Sequence, residues 1–278
     1  MGIQLKGGPK DAGMPALGIM KGSERFRGFG PQEEHAVRKP EPVISTNLEP
    51  IMRLWDVFEI TKVNMDAVSP RFPDDRGMVA GWLESIKYSA REIEEFTVAL
   101  SAFTQDKDFS SKAGVFLDAL MRSCPDNDIV LHTAHLPWID GLGMHNTKNI
   151  LIKGRVGDSC GEEMLGGSIT VEGDCLHYIG VRMVRGTIIV EGNAGMAPGA
   201  GMQSGLVHVK GNADCMVGNG LRGGTVIVEG NAGRDLGGQM TRGRIIVNGK
   251  IEEISGMIQG GRVYQGKTLL FPRPGEDV

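Results

Sequence analysis

The sequence has few aromatic residues and no long apolar run. Phenylalanine, tryptophan and tyrosine make up only 5% of the 278 residues, so we expect a core built mainly from small aliphatic side chains. No apolar stretch approaches the length of about 20 residues that a membrane-spanning helix needs, and the N-terminal region lacks the apolar segment of a secretory signal. We therefore predict a cytoplasmic protein that has no membrane partner.

The chain also lacks a strong net charge and a metal-binding cysteine motif. Its formal net charge of −4 at pH 7 gives no electrostatic reason to expect nucleic acid as a partner. The cysteines have no CxxC spacing, so neither a zinc knuckle nor an iron–sulfur motif is recognisable among Cys124, Cys160, Cys175 and Cys215. We expect reduced, mostly buried thiols, and we expect this chain itself to bind no metal and no other cofactor.

Glycine is abundant, and its distribution divides the chain into four regions. The 42 glycines are about twice the average share, which together with the scarcity of aromatic residues indicates a solenoid. Residues 1–45 are rich in glycine and proline and predict an extended N-terminal arm that becomes ordered only against a partner. Residues 46–128 predict a small helical region, in which Ser89 and Glu92 form a capping box. We assign residues 129–266 to the solenoid and residues 267–278 to a C-terminal tail.

A repeat of 19 residues occupies the sequence from Asn149 to Gly261. Each unit opens with two apolar, mostly β-branched residues two positions apart, which is typical of a strand with one face inward. We expect these pairs to stack as ladders inside the solenoid: Ile150/Ile152, Ile169/Val171, Ile188/Val190, Val207/Val209, Val226/Val228 and Ile245/Val247. A second inward ladder is predicted at Met164, Met183, Met202, Leu221 and Met240. Before the first repeat, residues 129–133 predict a strand that is followed by a linker.

Glycine recurs at the sixth and thirteenth positions of the repeat. A coil turns sharply at such corners, and glycine accepts a positive φ or a close approach of backbones where a Cβ would clash. The predicted corner glycines are Gly154, Gly173, Gly192, Gly211, Gly230 and Gly249 at the sixth position, and Gly161, Gly180, Gly199, Gly218, Gly237 and Gly256 at the thirteenth. The fold class that follows is mainly β: a right-handed parallel β-helix of about six coils, preceded by a small α-helical region and an extended N-terminal arm.

Three of the repeats contain a specific motif. Glu191-Gly-Asn-Ala-Gly195, Lys210-Gly-Asn-Ala-Asp214 and Glu229-Gly-Asn-Ala-Gly233 are each followed by a further glycine and by methionine or leucine. This pattern resembles the GXGXG β-helix that the C-terminal domain of the glutamate synthase large subunit shares with the β-helical subunit of formylmethanofuran dehydrogenase. The resemblance covers residues 145–266 and does not extend to the first 128 residues.

The resemblance implies a scaffold. In both groups the β-helix holds other domains or subunits in position, so we expect a non-catalytic subunit of a multisubunit oxidoreductase or amidotransferase complex. Its partners are then other protein subunits, and any metal, iron–sulfur or flavin cofactor belongs to those partners. The alternative is an independent enzyme with an acid–base site near the N-terminal end of the β-helix, using His132, His135, Asp140 or His145.

Other candidate sites have simpler interpretations. Cys160 and Cys175 occupy repeat positions at which other coils place apolar residues, so we predict buried filler rather than nucleophiles. Several arginines lie along one region of the repeats. The simplest interpretation is that their charges are solvated on the surface, and the alternative is that they dock to an acidic partner. They are Arg182, Arg185, Arg222, Arg234, Arg242 and Arg244.

Overall fold

The structure is a computed structural model that describes residues 48–60 and 75–272, all within one compact unit. The predicted arm, residues 1–45, lies outside the described residues. The part of the chain that is described opens with four α-helices: α1 (Glu49–Val57), α2 (Asp75–Leu83), α3 (Ala90–Ala99) and α4 (Phe109–Ser123), with a 3-10 turn at Leu100–Phe103. The predicted capping box is confirmed, because the Ser89 amide donates to the Glu92 carboxylate at 2.8 Å at the start of α3.

One nine-stranded sheet follows the helices, with its strands in sequence order. The strands are β1 (Asp128–His132), β2 (Asn149–Lys153), β3 (Ser168–Val171), β4 (Thr187–Val190), β5 (Leu206–Val209), β6 (Arg222–Val228), β7 (Arg242–Val247), β8 (Arg262–Gln265) and β9 (Thr268–Phe271). Neighbours from β1 to β8 are parallel, and β9 is antiparallel to β8. The predicted fold class is confirmed as a parallel β-solenoid of about seven turns with 19-residue coils.

The solenoid extends beyond the predicted repeats at both ends. β1 pairs with β2, with Asp128 opposite Asn149. The segment between them, which was predicted as a linker, is therefore the first coil of the solenoid. Its irregular length hides it from a search for the 19-residue period. At the other end, β8 opens a further turn and β9 folds back on it, so the predicted tail begins with a strand.

The interior of the coils is filled by the predicted ladders. The paired aliphatic residues of every coil are at most 3% exposed, and all members of the methionine and leucine ladder are fully buried. A further line of backbone bridges joins successive coils at Val156, Cys175, Ala194, Ala213, Ala232 and Ile251. Stacked aliphatic side chains bury apolar surface continuously along the axis, which is the main stabilising contribution in such a fold.

The helices cover the N-terminal end of the solenoid and share its core. Trp55 of α1 is fully buried and packs against Phe96 and Phe116, with ring centroids 5.8 Å and 5.4 Å away. These rings belong to the same cluster of buried residues as the aliphatic ladders. Most aromatic residues of the described part of the chain therefore lie where a β-helix needs a bulky cap.

The two sets of corner glycines act in different ways. At the thirteenth position, Gly161, Gly180, Gly199, Gly218 and Gly237 have a positive φ of 63° to 74°. At the sixth position only Gly154 has a positive φ; the others are constrained because a Cβ would meet backbone atoms of the preceding coil at 2.5 to 2.7 Å in most cases. Gly256 was wrongly assigned as a corner, since a Cβ there meets nothing within 4 Å. The final coil is one residue shorter, and Ser255 takes the corner position by donating its amide to Leu236.

Asparagines form a hydrogen-bonded ladder along the outside of the solenoid. The Asn193 side chain accepts from the Asn212 amide at 2.9 Å, and the Asn212 side chain accepts from the Asn231 amide at 2.8 Å. Asp174 begins the ladder and Lys250 ends it, through the same type of contact. Each side chain thus satisfies a backbone donor of the next coil at the turn that follows the strand.

Candidate functional site

His132 lies at the edge of the sheet where α3 covers β1. Its Nε2 lies 2.8 Å from a carboxylate oxygen of Glu94, and its backbone amide donates to Thr97 Oγ1 at 3.1 Å. Both partners belong to α3, so the imidazole and the amide fasten the helix to the first strand. This geometry gives His132 a structural role at the cap.

The other candidate acid–base residues have separate partners. His135 is exposed in the first coil. Asp140 accepts a hydrogen bond from the Asp158 amide at 2.9 Å, and burial raises the pKa of its carboxyl group. His145 Nε2 lies 2.9 Å from Glu163 in the next coil. Across residues 48–60 and 75–272, no group of three histidine, cysteine or acidic side chains is arranged to hold a metal ion.

A cluster of charged residues that the sequence did not reveal lies between α4 and the first coils. Asp118 on α4 is buried and accepts hydrogen bonds from Arg76 at 2.9 Å and Arg122 at 3.2 Å. Burial raises the pKa of the Asp118 carboxyl, and the two guanidinium groups oppose that rise. With His145, these side chains define a junction cluster, and Asp118, Arg122 and His145 border a cavity of about 40 Å³.

Glu163 of the second coil links this cluster to the third coil. Arg182 Nε donates to Glu163 at 2.9 Å, and the other end of its guanidinium group pairs with buried Glu162. The hydrogen bonds from Arg182 and His145 hold the pKa of Glu163 below its ordinary value. Charges in the cluster are therefore mutually paired, and the arrangement fixes the first coils against α4.

The cysteines are confirmed as filler. Cys160 is fully buried and Cys175 is 4% exposed. Burial raises the pKa of the Cys160 thiol to about 12 and raises that of Cys175 as well. A nucleophilic cysteine needs a thiolate near neutral pH, so neither residue is suited to covalent catalysis.

The arginines separate into two groups. Arg182 and Arg234 are held in ion pairs with glutamates, and Arg185 donates to the Leu165 carbonyl. Arg242, Arg244 and Arg262, in contrast, are exposed and line an open groove of about 580 Å³ at the C-terminal coils. We call this surface the basic groove. Arg222 lies beside it, in register with Arg242.

A row of outward-facing residues was also missed from the sequence. The third residue of each coil points away from the core and retains partial exposure, and registered strands align these residues in one line. The line, which we call the outer stripe, comprises Val130, Leu151, Thr170, Ile189, His208, Ile227, Ile246 and Tyr264. Its signal was present in the sequence, because three apolar residues in succession open several of the repeats.

Comparisons with known proteins do not assign the chain to a family. A scan against models of protein families and a search of curated proteins both give no match. The structure adds that, in its described part, no helix is long and apolar enough to cross a bilayer.

Proposed function

We propose that the chain is a non-catalytic β-helical scaffold subunit of a multisubunit oxidoreductase or amidotransferase complex of the glutamate synthase or formylmethanofuran dehydrogenase type. The observation that carries the proposal is the basic groove on a rigid stack of coils. Catalytic partner subunits supply the active site and its metal, iron–sulfur or flavin cofactors. The solenoid supplies a fixed surface on which they dock.

The packing of the coils supports a docking role. Buried aliphatic and methionine ladders fill the interior of the solenoid. The outer surface is therefore the part that is available to bind a partner. Each coil is bonded to the next by parallel backbone pairing, so groups several coils apart keep fixed separations. A rigid surface loses little conformational entropy when a partner binds.

The charge of the groove indicates the chemistry of the partner. Arg242 and Arg244 are exposed on β7, and Arg262 is exposed at the start of the neighbouring strand β8. Like charges at this spacing repel each other, and an acidic surface relieves that repulsion while guanidinium groups form bidentate contacts with carboxylates. The proposed partner surface is therefore rich in aspartate and glutamate.

Co-purification from the native cell tests the scaffold proposal. Tagged protein is expected to retain a larger subunit with a recognisable redox or amide-processing site. The variant Arg242→Glu, Arg244→Glu, Arg262→Glu should lose that subunit, whereas a control with the same charge change at exposed Lys87, Lys107 and Lys250 should keep it. Equal retention by both variants removes the basic groove from the proposal.

The second candidate is an enzyme with its site at the junction cluster. The observation in its favour is that His145 and Asp118 border the same cavity. Its volume of about 40 Å³ accommodates roughly one water molecule, so a substrate requires the cluster to open. Turnover by the purified chain alone, abolished by His145→Gln, would replace the scaffold proposal with this one.

A further inference from the structure

We infer that the outer face of the sheet is a dimer interface, on which two copies of the chain pack face to face about a two-fold axis through Ile189. The outer stripe is the basis of this inference. Apart from Thr170 and His208 its members are apolar, and all are partly exposed on the outside of consecutive strands. Leu269 of β9, 39% exposed and in register with Tyr264, continues the line. A largely apolar, partly exposed row along the outside of a sheet is typical of an interaction surface.

The residue pattern of the stripe is symmetric about Ile189. The two-fold axis lies between the two faces, next to Ile189 and parallel to the strands. It reverses the order of coils in the second copy. Ile189 then faces its own counterpart, Leu151 faces Ile227 and Val130 faces Ile246. The two polar members, Thr170 and His208, face each other. Apolar residues thus meet apolar residues and polar residues meet polar residues from Val130 to Ile246, and Tyr264 and Leu269 lie beyond this paired part of the stripe.

The neighbouring row of charges is complementary about the same axis. This row consists of the fifth residues of the coils that begin with β2 to β6: Lys153, Glu172, Glu191, Lys210 and Glu229. Reversal about Glu191 places Lys153 opposite Glu229 and Glu172 opposite Lys210, each twice in the dimer. Glu191 faces its own counterpart, and Lys210 of the same chain offsets that repulsion at 3.1 Å.

Other registers do not give this match. Moving the axis by half a coil toward the C-terminus places Glu172 opposite Glu229 and puts His208 opposite Ile189. Moving it by a full coil places Glu191 opposite Glu229 and Lys210 opposite itself. Like charges that face each other across an interface disfavour association, so the charge row and the apolar row select the same arrangement.

The area of the interface predicts a weak dimer. Seven strands spaced about 4.8 Å apart and about five residues long give a face of roughly 500 Å² per copy. Two such faces bury about 1,000 Å², which is at the lower limit for a specific interface. An interface of this size is typical of transient complexes, so the expected association is reversible. Arg244 lies two residues before Ile246 on the outward face of β7, so the basic groove borders this face. The inference rests on the outer stripe and the charge row and does not depend on the proposed function.

Charge exchange between Glu172 and Lys210 tests the interface in the full chain. Sedimentation equilibrium should show a monomer–dimer transition for the unchanged protein. Glu172→Lys and Lys210→Glu should each raise the dissociation constant about tenfold, and the double variant should restore it to within a few-fold, because the pair is then re-formed with reversed charges.

A matched control and a folding check complete this test. Asp214→Lys makes the same charge change as Glu172→Lys at an exposed site on another side of the coil, and it should leave the dissociation constant unchanged. Circular dichroism melts identify any variant that fails to fold. If a charge variant does not fold, Ile189→Ser takes its place as the variant that should weaken the dimer. A monomer at all concentrations, or a double variant no better than the single ones, overturns the inference.

Crosslinking tests the position of the axis. In a Cys215→Ser background, Ile189→Cys should be joined between copies by a short bismaleimide, because the two residues face each other at the axis. Ile246→Cys, three coils away, should not be joined, since its counterpart then lies about 29 Å distant at about 4.8 Å per coil. Efficient crosslinking through Ile246→Cys, or none through Ile189→Cys, overturns the proposed register.

Discussion

At the level of single residues, the glycines at the sixth position maintain the distance between coils. A Cβ on Gly211 would lie 2.6 Å from the carbonyl oxygen of Gly192 and 2.6 Å from the Asn193 side chain. The backbone of Gly211 is not in the left-handed region. The requirement for glycine is therefore the close approach of two backbones, in which the Gly211 amide donates to Gly192 at 2.9 Å.

Gly211→Val is expected to destabilise the solenoid strongly. The added side chain must displace backbone of the preceding coil, which breaks stacked hydrogen bonds and costs on the order of 3 kcal/mol or more. Gly256→Val is the matched control, because the space beside Gly256 is open, and it should change the free energy of unfolding by less than about 0.5 kcal/mol. Chemical denaturation of both variants measures the difference; similar midpoints would contradict the close-approach argument.

Residue periodicity predicted which side chains are buried, but it did not predict side-chain partners. The inward ladders follow from alternation alone, because a strand directs successive residues to opposite faces. The contact of His132 with Glu94 and that of Asp118 with Arg76 join residues 38 and 42 positions apart. Such contacts depend on how the helices dock on the first coil, and no repeat in the sequence records that docking.

At the level of elements, α3 protects the edge of β1. A parallel sheet that ended at β1 would present unpaired amides and carbonyls to other chains. Fully buried Thr97 accepts a hydrogen bond from the His132 amide at 3.1 Å and donates to the Glu94 carbonyl at 2.7 Å. One hydroxyl group thus satisfies a strand donor and bonds within its own helix.

Thr97→Val is expected to cost about 1–3 kcal/mol of stability, since it leaves the half-buried His132 amide without its acceptor. Thr97→Ser keeps the hydroxyl and loses one methyl group, which costs about 1 kcal/mol. Valine preserves the side-chain volume, and serine preserves the hydrogen bonds. A lower melting temperature for the valine variant therefore shows that the hydrogen bonds matter more than the packing of the methyl group. A valine variant as stable as the serine variant would show that packing alone holds α3 on β1.

The predicted elements differ in how regular they are. Five coils with one fixed length were found because their corner glycines recur in register, whereas the 21-residue spacing between β1 and β2 broke the pattern. Of the hairpin of β8 and β9, only β9 was assigned to the tail, which was predicted to begin at residue 267. The signal of the hairpin was Gly266-Lys267 between two short β-rich runs, which is typical of a tight hairpin turn.

At the level of the whole molecule, the two ends of the solenoid are closed by different devices. The N-terminal end has four helices with an aromatic core, and the C-terminal end has only β9 among the described residues. Phe271 of β9 pairs with Val263 and packs against the buried cluster. A single short antiparallel strand reverses the hydrogen-bonding pattern at the end of the parallel stack, which makes addition of another parallel coil unfavourable.

A chain that ends at Gly266 is therefore expected to be less stable and to associate through the uncovered edge of β8. Removal of β9 exposes the side of fully buried Val263 and leaves the β8 backbone unpaired on one side. The melting temperature should fall by a few degrees, because loss of about 1 kcal/mol lowers it by roughly 2–4 °C in a chain of this size. Light scattering should reveal species larger than a dimer. A chain that ends at Pro272 retains β9 and is the control; identical melting and scattering of the two chains would mean that β9 neither stabilises nor closes the C-terminal end.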